Sequence, residues 1–212
     1  MPLNLEILPA FILAALALNL TPGADMTFVA AQSMSAGPRA GFAGSIGVGT
    51  GGLAHTLFAA VGPAALVAAN PVAFEIIRYA GATYLVWMAI QMIRTPPHLG
   101  ADNETGSVNL ARAFSRGFLT NLLNPKVIVF ILAFLPQFVD QGAGQIGLQI
   151  LLLGAIFSTG GTMVLIAVAL AGGRLASSLN KHPMAPRIIG WISGTLIGGL
   201  AIGLLLSARR AA

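Results

Sequence analysis

Two charged side chains fall where a membrane-spanning segment would otherwise be apolar: Asp25, three residues after Pro22, and Lys126, directly after Pro125. An ionised Asp or Lys at the centre of a membrane helix costs about 2.5–3.5 kcal/mol on insertion scales, so such groups face the inside of a bundle and serve a purpose there. A proline break frees carbonyls before it and leaves amide donors unpaired at the start of the helix that follows, and those amide ends favour anions. One acid, one base and two interrupted helices suit a zwitterion. Asp25 would meet an ammonium group or a proton, and Lys126 a carboxylate. The alternative for the two charges is a buried ion pair that ties helices together.

Thr21, Gly23, Asn121 and Asn124 stand beside the breaks and are read as substrate-binding positions. Thr21, Asn121 and Asn124, together with Asn19, could equally satisfy the freed backbone groups. Pro22, Gly23 and Pro125 are the expected hinges. His55 is the third ionisable group deep in a span; histidine titrates near neutral pH, which makes His55 a proton-coupling candidate beside Asp25, or else a hydrogen-bonded interior residue. Glu75 and Arg78, three residues apart near the start of another span, read as a surface pair.

Other chemistries lack residues. The chain has no cysteine, so it holds no disulfide, thiolate metal site or thiol relay. One deep histidine and one deep carboxylate are too few ligands for a selective transition-metal path, and neither a metal nor a cofactor is expected. Asp25 with His55 is the only candidate catalytic pair, so no catalytic residues are assigned and the chain is not expected to be an enzyme.

These groups must be positioned by membrane helices. The 212 residues are 56% hydrophobic and only 8% charged, against roughly 25% charged in a soluble domain. Residues 40–74, 141–173 and 188–208 contain no Asp, Glu, Lys or Arg, and about 20 apolar residues cross a bilayer. A net charge of +5 could suggest nucleic acid, but the basic residues lie between apolar stretches and form no basic face, so lipid and a small molecule are the expected partners. Ala15-Leu16-Ala17 resembles a small-x-small cleavage site, yet no basic residue precedes the apolar run, so an uncleaved first span is expected.

Six transmembrane helices are expected, at about residues 5–32 (broken at Pro22), 41–69, 72–93, 116–139 (broken at Pro125), 144–171 and 188–206. Asn70-Pro71 would end the second. The polar stretch 95–111, with Asp102, Asn103 and Glu104, joins halves at about 1–94 and 112–212 of one membrane domain. Each half has three helices and opens with a broken one. Because three is odd, the halves would be inverted repeats, a pattern that points to a midplane transport site. Arg39, Arg94, Arg112, Arg116, Arg174, Lys181 and Arg187 fall on one face, and only Arg78, Arg209 and Arg210 on the other. The positive-inside rule then puts the long loop in the cytoplasm and both termini outside. Gly47 with Gly51, and the row Gly190, Gly194 and Gly198, predict close helix packing, within one subunit or across a homodimer.

The motifs resemble those of the LysE/RhtB family of amino acid and metabolite exporters. Thr21-Pro22-Gly23-Ala24-Asp25, with Gly37-Pro38-Arg39-Ala40-Gly41 downstream, is similar to that family's first signature, with Ala24 in place of its second proline. The run from Gly117 to Lys126, through Asn121, Asn124 and Pro125 and on to Phe134-Leu135-Pro136-Gln137-Phe138, is the more specific match. Tyr79 to Leu85 and Ile192-Ser193-Gly194 also fit. The resemblance implies a six-helix carrier of the bacterial inner membrane that exports amino acids by proton-coupled antiport, and it raises Asp25, Asn124, Pro125 and Lys126 as site residues. Many members carry an acid shortly before the histidine of the second helix, where this chain has Gly51-Gly52. Asp25 is then the only deep carboxylate, which favours a neutral substrate over lysine or arginine. The competing reading is a channel or ion exporter, and a membrane-embedded enzyme ranks below that.

Overall fold

The computed structural model describes residues 3, 5–61, 71–94, 109–180 and 184–208. The end of the second expected span, Asn70, Asp102, Asn103, Glu104, Lys181, Arg209 and Arg210 lie outside the described residues. Among those residues the structure is all-helical: α1 Leu8–Leu20, α2 Ala24–Ala36, α3 Pro38–Val61, α4 Pro71–Arg94, α5 Leu110–Leu122, α6 Pro125–Val129, α7 Ile146–Asn180 and α8 Ala185–Ala208. A π turn over Phe130–Phe134 and a 3-10 turn over Leu135–Phe138 extend α6. Pro136 has no N–H to offer the carbonyl four residues before it, so the regular helix cannot continue there.

Helices α1 and α2 meet at a bend of 50° across Thr21–Gly23, and α5 meets the α6 segment at 51° across Leu123 and Asn124. Parts of α4, α7 and α8 are each long and apolar enough to cross a membrane, and the two bent pairs bring the total to five. At 1.5 Å per residue the 24 residues of α3 reach about 36 Å, also enough for a bilayer core of about 30 Å.

The structure moves several expected boundaries. α5 starts at Leu110, not near residue 116, because the Asn109 side chain accepts a hydrogen bond from Arg112 N at 2.9 Å and caps the helix. α3 starts at Pro38, since proline suits a first helical position and Gly37, at φ +87°, turns the chain between α2 and α3. Pro71 likewise opens α4. α7 runs on to Asn180, beyond the expected end at 171; an interior glycine costs a helix only about 1 kcal/mol, so Gly172 and Gly173 do not stop it.

Helix directions follow from glycine contacts. Gly44 and Gly51 of α3 abut Gly117 and Asn121 of α5, so these helices run parallel. Gly41 lies on Ala169 and Gly52 on Ser158, so α7 runs antiparallel to α3. Gly194 lies on Ile93 and Ala89, which makes α8 antiparallel to α4. α8 begins four residues after α7 ends, so the starts of α3, α5 and α8 and the ends of α4 and α7 share one end of the bundle. Arg39, Arg94, Arg112, Arg116 and Arg187 all belong to that end. Gly47, Gly51 and Gly194 thus serve contacts inside the subunit.

Phe11, Phe130, Phe134, Phe138 and Phe157 form the centre of the main core and tie α1 and α7 to the α6 segment; Phe130 stacks on Phe157 with centroids 4.4 Å apart. Leu13, Phe58, Val61, Met163 and Leu170 face outward, as they would toward lipid. One pairing differs from expectation. Arg78 does bond Glu75, but its side chain is 5% exposed against 41% for Glu75, so it is an interior cation and not half of a surface pair. α4 packs against α8 and the π turn, and such burial is a feature that sequence spacing does not encode.

Candidate functional site

The two helix breaks face one another at the middle of the bundle, and each exposes one carbonyl for the same reason. Pro22 is four residues after Leu18 and has no N–H to give the Leu18 carbonyl. Pro125 stands in the same relation to Asn121. Each orphaned carbonyl takes a weaker local bond, from Thr21 N at 3.2 Å and from Asn124 N at 2.9 Å respectively. Each also receives a side chain from elsewhere. Lys126 Nζ donates to Leu18 O at 3.3 Å and to Thr21 O at 3.1 Å. His55 Nε2 lies 3.3 Å from Asn121 O, which requires the tautomer protonated on that nitrogen.

Asp25 and Lys126 therefore do not form the direct ion pair that the sequence left open. Both are 8% exposed, but Lys126 is held by backbone carbonyls, and Asp25 Oδ2 accepts from Asn121 Nδ2 at 2.8 Å. Gly23 makes room for the lysine: a Cβ there would stand 3.3 Å from Lys126 Nζ. Asn124 Oδ1 caps the short α6 by accepting from Lys126 N at 3.0 Å. Thr21 Oγ1 donates to Ala17 O and Asn19 Nδ2 to Phe157 O. Of the polar neighbours, then, Thr21 and Asn124 close helix ends, Asn19 links α1 to α7, and Asn121 binds the acid.

A cavity of about 40 Å³ lies between the breaks, α3 and α7. Thr21, Asp25, Asn121 and Lys126 line it, while Gly23, Asn124 and His55 do not. Among the described residues, three buried atoms here have no hydrogen-bond partner: Asp25 Oδ1, Asn121 Oδ1 and Ser158 Oγ. All three belong to cavity-lining residues. A buried polar atom left unpaired costs about 1–3 kcal/mol, so three of them on residues that line one cavity make it the candidate site. Ser158 was not among the sequence candidates. A single serine in the long apolar run of α7 gives no signal, and only the packing of Gly52 against it brings it to Asn121. Met26, Val48, Val127, Phe157 and Leu165 supply the apolar part of the wall. The volume holds about three waters, too little for an amino acid.

A wider groove of about 690 Å³ runs between α2 and α5, from Ala24 and Leu123 at the breaks to Ser35 and Arg116 at the basic end, with Thr27 and Thr120 along it.

The chain matches the LysE type translocator family profile over residues 16–208. It is 31% identical over 212 residues to a membrane protein of Vibrio cholerae, covering 99% of this chain and 100% of that one. The chain belongs to the LysE type translocator family. Its similarity extends to the homoserine/homoserine lactone efflux protein of Salmonella typhi, 31% identical over 201 residues (95% of this chain, 96% of the other), and to the leucine efflux protein of an Enterobacter species, 26% over 200 residues (92% of each). No solved structure matches the chain. This LysE-type translocator is a multi-pass membrane transporter and not an enzyme.

His55 in the translocator has a task that needs no proton transfer. Its loss leaves the Asn121 carbonyl to its local backbone donors, a cost of about 1 kcal/mol. His55→Leu should therefore lower the melting temperature by about 2–4 °C, read by thermal unfolding of the purified protein.

Proposed function

We propose that the protein exports neutral amino acids across the bacterial inner membrane by proton-coupled antiport, with α3 as the sixth span and halves of about 1–94 and 112–212 acting as inverted repeats. The observation that supports this reading is the set of three acceptors without partners among the described residues, Asp25 Oδ1, Asn121 Oδ1 and Ser158 Oγ, on residues that line one cavity. An ammonium group has three donors and satisfies all of them. Asp25 supplies the countercharge, and between substrates it carries the proton.

The substrate carboxylate goes to the opposite wall. α2 begins at Ala24 with Gly23 as its cap and no side-chain cap, so its first amides and positive dipole end face the break, where Lys126 Nζ adds its remaining N–H. The apolar wall and the single carboxylate support a neutral side chain, as do relatives named for efflux of homoserine and of leucine. Because the cavity is smaller than the substrate, the halves must part to load it. The groove between α2 and α5 offers the route from the basic, cytoplasmic end, and Arg116 at its mouth favours an approaching carboxylate.

The deciding experiment is efflux from proteoliposomes loaded with labelled leucine, homoserine, lysine and arginine, with and without a proton gradient. Gradient-dependent efflux of the neutral pair alone is the expected result. Equal efflux of lysine, or uncoupled flux of all four, rejects the reading in favour of a broad carrier or a channel. Ser158→Ala removes one of three acceptors for the ammonium; it should raise KM about 3–10-fold with kcat little changed, since that bond is made on binding.

A further inference from the structure

The end of α1 carries a device that export of a zwitterion does not by itself require. Thr21, in an extended conformation at the end of α1, and Leu18, robbed of its helical donor by Pro22, present two carbonyl oxygens at the negative end of the α1 dipole. Interrupted membrane helices use such freed carbonyls to coordinate a small cation. Here the oxygens already hold a cation, and it is covalently part of the other half of the protein. Lys126 is 8% exposed, its ammonium donates to both oxygens, and among the described residues it has no carboxylate in direct contact. If the halves are the repeats proposed above, Lys126, after Pro125, corresponds to Gly23, after Pro22; a Cβ at Gly23 would stand 3.3 Å from the Lys126 ammonium, so the missing side chain leaves it space.

We propose that the carbonyl end of α1 is a monovalent-cation site whose resident occupant is the tethered Lys126 ammonium, standing where a free sodium ion would sit. The lysine neutralises the freed carbonyls, joins the two breaks, and makes the transporter independent of sodium. Removing the side chain while keeping the oxygens leaves a vacant site for Na⁺ or Li⁺, completed by waters. The inference concerns the ion and not the exported solute, so it can fail while the export reading stands, and the reverse.

The test compares the wild type and Lys126→Ala as full-length chains purified in detergent, with melting temperatures read in NaCl, LiCl and choline chloride at constant ionic strength. Lys126→Ala should gain about 3 °C or more in NaCl or LiCl over choline, the shift expected when a cation is in roughly tenfold excess over its dissociation constant. The wild type, whose site is filled by the ammonium, should gain less than about 1 °C. A folded Lys126→Ala that responds alike to all three salts overturns the proposal. If Lys126→Ala is isolated only when Na⁺ or Li⁺ is present, the proposal stands; if no salt yields folded protein, the decision passes to the wild type in proteoliposomes. There, efflux should be unchanged between sodium and choline buffers, and sodium-stimulated efflux means that the site is not occupied by lysine and overturns the assignment.

Discussion

Asp25→Asn should reduce the initial rate of amino acid efflux at least about 100-fold and abolish its response to a proton gradient, while the protein reaches the membrane at normal levels. The asparagine can keep an acceptor toward Asn121 Nδ2, so the bond that holds α2 to α5 survives. What disappears is the only carboxylate that lines the cavity among the described residues. Leaving a buried ammonium without its countercharge costs about 3 kcal/mol or more, and each 1.4 kcal/mol is tenfold in binding. On the proposed mechanism the neutral variant has also lost the group that exchanges a proton, so coupling goes with binding. Efflux rate per unit of inserted protein, measured with and without a collapsed gradient, is the readout. Normal gradient-driven efflux by the variant would remove Asp25 from the mechanism.

Gly47→Ala should unfold the bundle rather than impair one step. An added Cβ at Gly47 would stand 2.1 Å from the Phe114 carbonyl oxygen and 3.0 Å from Phe118 N, both backbone atoms of α5. No rotamer change relieves a clash with backbone, so α3 and α5 must separate, and separation pulls Asn121 away from Asp25. Overpacking costs about 1–3 kcal/mol where side chains can adjust and more where they cannot. A fall of about 10 °C or more in melting temperature, with loss of the monodisperse peak on size exclusion, is the expected result. Gly199→Ala is the control: nothing lies within 4 Å of its added Cβ, and it should leave both readouts unchanged. A stable Gly47→Ala protein would mean that α3 and α5 do not pack as described.

Much of the framework was legible because it rests on chemistry between near neighbours. A proline cannot donate to the carbonyl four residues back, so breaks at Pro22 and Pro125 follow wherever those residues enter a helix. The apolar lengths announced membrane helices, and the rare charges inside them announced Asp25 and Lys126 as interior groups. Boundaries were less readable. The Asn109 cap lay in a stretch that looked like loop, and α7 ran through glycines that a helix tolerates at small cost.

The amino-acid sequence by itself determined that this is a helical membrane protein with two interrupted segments and a deep acid and base. Tertiary structure alone decided what those groups touch. Lys126 meets the carbonyls of Leu18 and Thr21, residues 108 and 105 positions away, and Asp25 meets Asn121 across 96 positions. His55 went to a backbone carbonyl outside the cavity lining, Arg78 went inside, and Ser158 joined the acceptors unannounced. The physical reason is one of range. Helix breaks and hydropathy arise from bonds within a few residues, whereas side-chain partners depend on the register and crossing of helices, which a few glycines set through backbone contacts far apart in the chain.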